Sequence, residues 1–487
     1  MSTEKMNNLS VVRKIIAVIS GAFLTGYMWH VRGQHGFGSK WGVFSVALTL
    51  MLLIFALYGK RRKMNYEMIP LAAAFMSITT GGWGTLNSQM SGYLGSNGYF
   101  TGEEVFRYVE ISPFSGLAIM LLLGFGWMPL FAVVFGSLFS EKQYRIKDYI
   151  IFTGVFYGTM LICNMTVSHP LLALINPQAV ENCALGIADA GHDLTPYVAF
   201  IKNFGSAAWA KPIPFCRNYF TSVKVISAAI GALTSSLSVR FILKDKVTAR
   251  ISVLVNIVSA VAITAADFVM ITDSDRGFLA GIYAPTYITA NAWELWEYFT
   301  GFILGLGIML IVVCMPAKMT ATEEDYEYTP LITNKKFSMF YHTVFTLLFS
   351  FGITLARAIS MRSVEMFTDN ETLEIVGIVV LGIIAFIPCF LTAKKNILDK
   401  NLLMPVDKPV WEFAKTGLYI YVLIASIAYF FLGQDSRKSL LNLEYTAGFS
   451  ELWNRGDLTD PILMLSTLVI IIVTFAILTK KPKTQTK

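Results

Sequence analysis

Residues 14–63 read KIIAVISGAFLTGYMWHVRGQHGFGSKWGVFSVALTLMLLIFALYGKRRK. Two apolar runs, near 14–31 and 41–59, flank a short glycine-rich corner, and the second run ends on Lys60-Arg61-Arg62-Lys63. A helix needs about 20 apolar residues to cross a hydrocarbon core of about 30 Å. The stretch therefore reads as a hairpin of two membrane spans with a polar outer turn and a basic inner end. It repeats in kind along the chain. Further runs lie near 67–87, 113–139, 148–175, 221–243, 250–271, 294–316, 337–357, 374–393, 410–432 and 461–479, which makes about twelve in all. The runs are too long for barrel strands, and open strand edges are not tolerated in lipid. We expect an all-α polytopic integral membrane protein of about 12 transmembrane helices.

Composition agrees. Of 487 residues, 55% are hydrophobic and only 15% charged, against about 25% charged in soluble domains. The net charge of +7 serves topology rather than nucleic acid binding, because membrane proteins concentrate Lys and Arg in cytoplasmic loops. With twelve spans, both termini fall on one side, and 26 of the 39 basic residues fall there too. That side is assigned to the cytoplasm of a cell membrane. The first run lacks a small-residue cleavage site and reads as an uncleaved span.

The chain reads as a single membrane domain, 1–487. The acidic segment 321–336 is the one long cytoplasmic connection; it either joins halves 1–320 and 337–487 or divides the spans eight and four. The longer loops face outward, about 88–112, 176–220, 272–293 and 433–460. Each is rich in aromatic residues, so short interfacial or re-entrant helices are expected in them.

Polar residues gather near the outer boundary. The corner holds Arg32, His35 and Lys40 among Gly33, Gly36, Gly38 and Gly42, with no acid. Positive side chains and free backbone N–H groups suit a carboxylate, phosphate or sulfate. The competing reading is a tight turn against lipid headgroups. The third run ends in SITTGGWGTLNSQMSG, residues 77–92, where Asn87 and Gln89 crowd a glycine-broken helix end, as a helix unwinding against a cavity would. The eighth run opens NAWELWEYF, residues 291–299, and puts Glu294 and Glu297 on one helical face. These seven residues are the expected substrate-binding set. Asp267, in the seventh run, is the expected ion-coupling residue, since a carboxylate at that depth needs a partner or a cavity. His169 and His342 read as interfacial or associated with a kink.

Five cysteines include Cys183 and Cys216 in one outward loop. Their pairing would close a loop of roughly 34 residues, worth about 3–4 kcal/mol in the chain-entropy model. No zinc spacing, P-loop, HExxH or GxSxG pattern occurs, so no metal or cofactor is expected. The function that fits is an ion-coupled secondary transporter for a small anionic or zwitterionic solute. The alternatives are a membrane-embedded transferase acting on a glycan or lipid-linked substrate at the outer face, and a structural or assembly subunit. The expected partners are the lipid bilayer and a small-molecule or lipid-linked substrate, not nucleic acid.

Overall fold

The computed structural model describes residues 11–34, 40–54, 68–81, 108–109, 112–204, 216–272, 292–314, 334–341, 343–344, 371–394 and 469. Its elements are helices: α1 (Val11–Gln34), α2 (Lys40–Ile54), α3 (Met68–Gly81), α4 (Pro113–Phe125), α5 (Pro129–Ser137), α6 (Ile146–Met165) and α7 (Ser168–Ile175). They continue with α8 (Pro177–Asp189), α9 (Pro196–Asn203), α10 (Arg217–Phe241), α11 (Lys246–Thr272), α12 (Ala292–Cys314) and α13 (Glu371–Lys394). Among the described residues there is no strand. Five helices are long and apolar enough to cross a membrane, or up to seven spans if each of two bent pairs counts as one. The twelve runs expected from hydropathy are thus established only in part. The run near 410–432, all of the run near 461–479 but residue 469, most of the run near 337–357 and residues 321–333 of the linker lie outside the described residues.

Two apolar runs prove not to be single straight helices, and proline is the reason. In the run 113–139 the chain reads FGWMP. Pro129 lacks an N–H and starts α5, while Met128 before it is pushed out of helical conformation to φ −133°, ψ 42°. The result is a 42° bend between α4 and α5. The run 148–175 breaks at Thr166 after α6. Short α7 follows, and Asn176 then turns the chain by 108° into α8. The Asn176 side chain accepts from the Ala179 N–H at 3.1 Å, and Pro177 opens α8. Thr195 caps α9 in the same way, accepting from Val198 N–H at 3.3 Å before Pro196. The loop after α6 therefore contains three short helices.

Packing centres on α1, α10, α11 and α12. Helices α1 and α12 run antiparallel at close approach. A Cβ on Gly305 would meet the Gly21 carbonyl and the Thr25 side chain, and one on Gly301 would meet Trp29 and Gly26. The α4–α5 pair lies against α11 antiparallel, with Gly124 on Ala260 and Gly136 on Thr248.

One end of the bundle is fastened by a polar knot between the α5–α6 and α10–α11 loops. Asp245 accepts from the backbone N–H of Val247 and Thr248 at 3.0 Å each, from the Thr248 hydroxyl at 2.6 Å and from the Tyr144 hydroxyl at 2.9 Å. Lys142 donates to the Leu243 carbonyl at 2.8 Å and stands 3.8 Å from Asp148. The basic loops around 142–147 and 240–250 thus share one end. At the opposite end Cys183 and Cys216 form a disulfide, tying α8 to the start of α10.

Candidate functional site

Helix α11 is built inside out. Its exposed face carries Leu254, Ile257 and Val261, at 38%, 45% and 48% exposure. Its buried face carries Thr248, Ser252, Asn256, Ser259 and Asp267, each fully buried. The spacings of 4, 4, 3 and 8 residues keep these polar groups on one helical stripe. In water such a helix would be upside down; in lipid it puts its oily face outward and its polar face into the bundle. Ile263 interrupts the stripe, also fully buried.

The part of the stripe near the basic loops is satisfied locally. Thr248 bonds Asp245, and Ser252 bonds both the Ala249 carbonyl and Ser236 of α10 at 2.9 Å. The middle and the part toward the disulfide end are not. Both side-chain polar atoms of Asn256, the Ser259 hydroxyl and Oδ2 of Asp267 are buried without a hydrogen-bond partner. Leaving a polar group buried and unmade costs about 1–3 kcal/mol. The stretch of α11 that is long and apolar enough to cross a membrane is Lys246–Phe268. Asn256 lies about 15 Å from its start at 1.5 Å per residue, close to the middle of that stretch. The α4–α5 break is at the same depth, since Gly124 meets Ala260. Trp127 sits in that break with its own indole N–H unpartnered, its ring 5.0 Å from Trp29 of α1. The Thr25 hydroxyl, on α1 against Gly305, is also without a partner.

Toward the disulfide end, Trp296 of α12 donates its indole N–H to Oδ1 of Asp267 at 2.6 Å. His30 of α1 and Glu297 of α12 are also buried. The register of α1 on α12, with Gly21 at Gly305 and Gly26 at Phe302 and Tyr298, continued toward the disulfide end, brings helix position 32 to the level of position 294.

The sequence-derived residues distribute as follows. Asp267 and Glu297 are buried at the disulfide end of the bundle. Arg32 lies on the last turn of α1, Lys40 at the first residue of α2 and Glu294 in the first turn of α12, at helix positions whose side chains are outside the described part. His35, Asn87 and Gln89 lie outside the described residues. One expectation changes: α1 stays helical through Gln34, so the N–H of Gly33 belongs to a helix. Gly33 cannot turn its N–H toward an anion, and a helix C-terminus carries the negative end of the dipole.

Sequence reasoning missed Asn256, Ser259 and Trp127. The signal was present as helical spacing in TARISVLVNIVSAVAITAAD, residues 248–267, where the polar residues recur on one face. It also undervalued His169. Its Nε2 donates to the Asn164 carbonyl at 2.8 Å, and in the neutral ring Nδ1 accepts from Tyr219 at 2.7 Å. Tyr197 and Phe200 wall the ring at 4.7 and 5.1 Å between centroids.

Among the described residues no cluster of His, Cys, Asp or Glu could hold a metal ion. Comparison with known proteins adds no relative, since no family model, curated protein or solved structure matches the chain.

Proposed function

We propose that this protein is an ion-coupled secondary transporter of a cell membrane, with both termini in the cytoplasm, for a small anionic or zwitterionic solute. One observation carries the proposal: a bent helix pair, α4–α5, lies against the middle of a helix whose buried face is polar and incompletely bonded. Broken helices beside polar side chains near the midplane are where transporters hold substrate and coupling ion. An enzyme confined to the outer face has no use for unbonded polar groups at that depth.

In this reading the disulfide end faces outward, and the basic loops at the other end obey the positive-inside bias. Arg32, His35 and Lys40 receive the solute's negative group. Glu294 and Glu297, on the antiparallel neighbour, pair with a cationic group or with the empty site's Arg32. Asn87 and Gln89 complete the vestibule, and Asp267 takes the coupling ion. The partners are the bilayer and a small solute.

The second reading, an outer-face transferase, draws support from His169, whose ring is fixed by Asn164 and Tyr219 at the disulfide-tied end. The two readings separate in proteoliposomes. A panel of radiolabelled amino, hydroxy and dicarboxylic acids is offered with and without an imposed proton or sodium gradient. The proposal expects gradient-dependent uptake of one class, lost in Arg32→Ala and sharply reduced in Glu297→Gln. Absence of uptake across the panel, together with turnover of a lipid-linked donor that His169→Ala abolishes, would favour the transferase instead.

A further inference from the structure

The stripe on α11 extends past the expected site residues and runs most of the length of the span. We propose that this buried face is a hydrated path that carries protons between Asp267 and the basic end of the bundle, with Ile263 as its closure. The proposal deepens the transport reading by naming the coupling ion as H⁺, and it rests on that reading only for what the proton drives.

Four polar atoms on this face, two on Asn256 and one each on Ser259 and Asp267, are buried with no partner. A dry interior would leave all four unmade. Buried water typically makes about three hydrogen bonds to just such groups. An amide that both donates and accepts, one turn from a hydroxyl, suits water better than it suits an ion. A single cation bridging Asp267 and Ser259 is excluded by distance, because eight residues of helix rise about 12 Å. Asp267 itself holds one donor, Trp296, and one bare oxygen. A proton on Oδ2 turns that acceptor into a donor and leaves no net charge in the membrane.

The titratable groups at the same level are His30 on α1 and Glu297 on α12, each engaged with other partners. The relay is balanced with O–H bonds alone. A proton from outer water adds to Oδ2 of Asp267. It then passes to a water and on to waters held by Ser259 and Asn256, each O–H bond that breaks being replaced by one that forms. It leaves beside Ser252 and Thr248 at the basic end. Ile263 separates Asp267 from Ser259 and keeps the two stretches apart at rest.

Three measurements on the full-length chain in lipid test this. With Cys163, Cys314 and Cys389 replaced by serine, Asn256→Cys and Ser259→Cys should react with a small charged methanethiosulfonate added from water. Ile257→Cys, on the lipid face, should not. In the unmodified chain, infrared spectra should show a protonated carboxyl band that shifts in D2O and vanishes in Asp267→Asn. Ile263→Ser should raise voltage-driven proton flux into dye-loaded vesicles severalfold, and adding Asp267→Asn should cancel the rise. Unreactive cysteines at 256 and 259, or a carboxyl band that ignores D2O, would overturn the path even if solute uptake persists. Reactive cysteines and an exchanging band without any uptake would instead refute the transport reading and leave the path standing.

Discussion

Asp245 shows how much one carboxylate can organise. It caps α11 through two backbone N–H groups and joins Tyr144 from another loop. Burial alone would push its carboxyl up. The hydrogen bonds from Ser140, Thr248 and Tyr144 outweigh that and hold it below its ordinary value. Burial and the neighbouring Asp245 charge push the Tyr144 hydroxyl up, so it stays a donor. A group whose folded-state value is depressed stabilises the fold above its unfolded value and loses that contribution as pH falls through the folded one. Asp245→Asn keeps a cap acceptor but removes the charge, and charge-assisted hydrogen bonds are roughly twice as strong as neutral ones. The variant should melt lower than wild type at neutral pH, by an equivalent of about 1 kcal/mol. The gap should close on acidification below the usual carboxylate range. A gap constant with pH would mean that charge plays no part. Asp267, by contrast, was legible in the sequence because a lone acid in an apolar run is conspicuous. Asn256 and Ser259 were not, because uncharged polar residues in a span pass as ordinary until their common face is traced.

At the scale of elements, the turns were written in short words that hydropathy ignores. Ser112-Pro113, Met128-Pro129, Asn176-Pro177 and Thr195-Pro196 each begin a helix, because proline fits the first helical position, where no N–H is needed. Three of these words lie inside or at the edge of the apolar runs 113–139 and 148–175, where hydropathy passes over them. The α1–α12 contact had a signal as well: Gly301 and Gly305 are four apart, the spacing that lets helix backbones touch in lipid. Gly305→Ala should lower the melting temperature, since its new methyl would meet the Gly21 backbone and Thr25; such overpacking costs about 1–3 kcal/mol. Gly154→Ala on α6, with open space around it, should leave stability equal or raise it by up to about 1 kcal/mol through helix propensity. Equal losses at both sites would contradict the close approach.

For the whole molecule, the charge bias named one end of the bundle before any contact was known. The loops around 142–147 and 240–250 do meet, through Lys142 and Leu243. The outward loop 176–220 was read as structured because of its aromatic residues, and two short helices, α8 and α9, occupy its described part. How these helices dock was not legible, because it depends on His169 meeting Tyr219 across 50 residues. The Cys183–Cys216 disulfide spans 33 residues. Reducing it in intact protein should lower stability by about 3–4 kcal/mol on the chain-entropy account, seen as an earlier unfolding transition. No change on verified reduction would show that packing alone holds α8.

The site requires α1 and α12 to present Arg32 and Glu294 to each other at one end of the bundle. In the cysteine-replaced background, Arg32→Cys with Glu294→Cys should form a disulfide in membranes under mild oxidation, whereas Arg32→Cys with Met309→Cys, at opposite ends of the pair, should not. Absence of the first cross-link, or equal yield of the second, would contradict the arrangement on which the binding site depends.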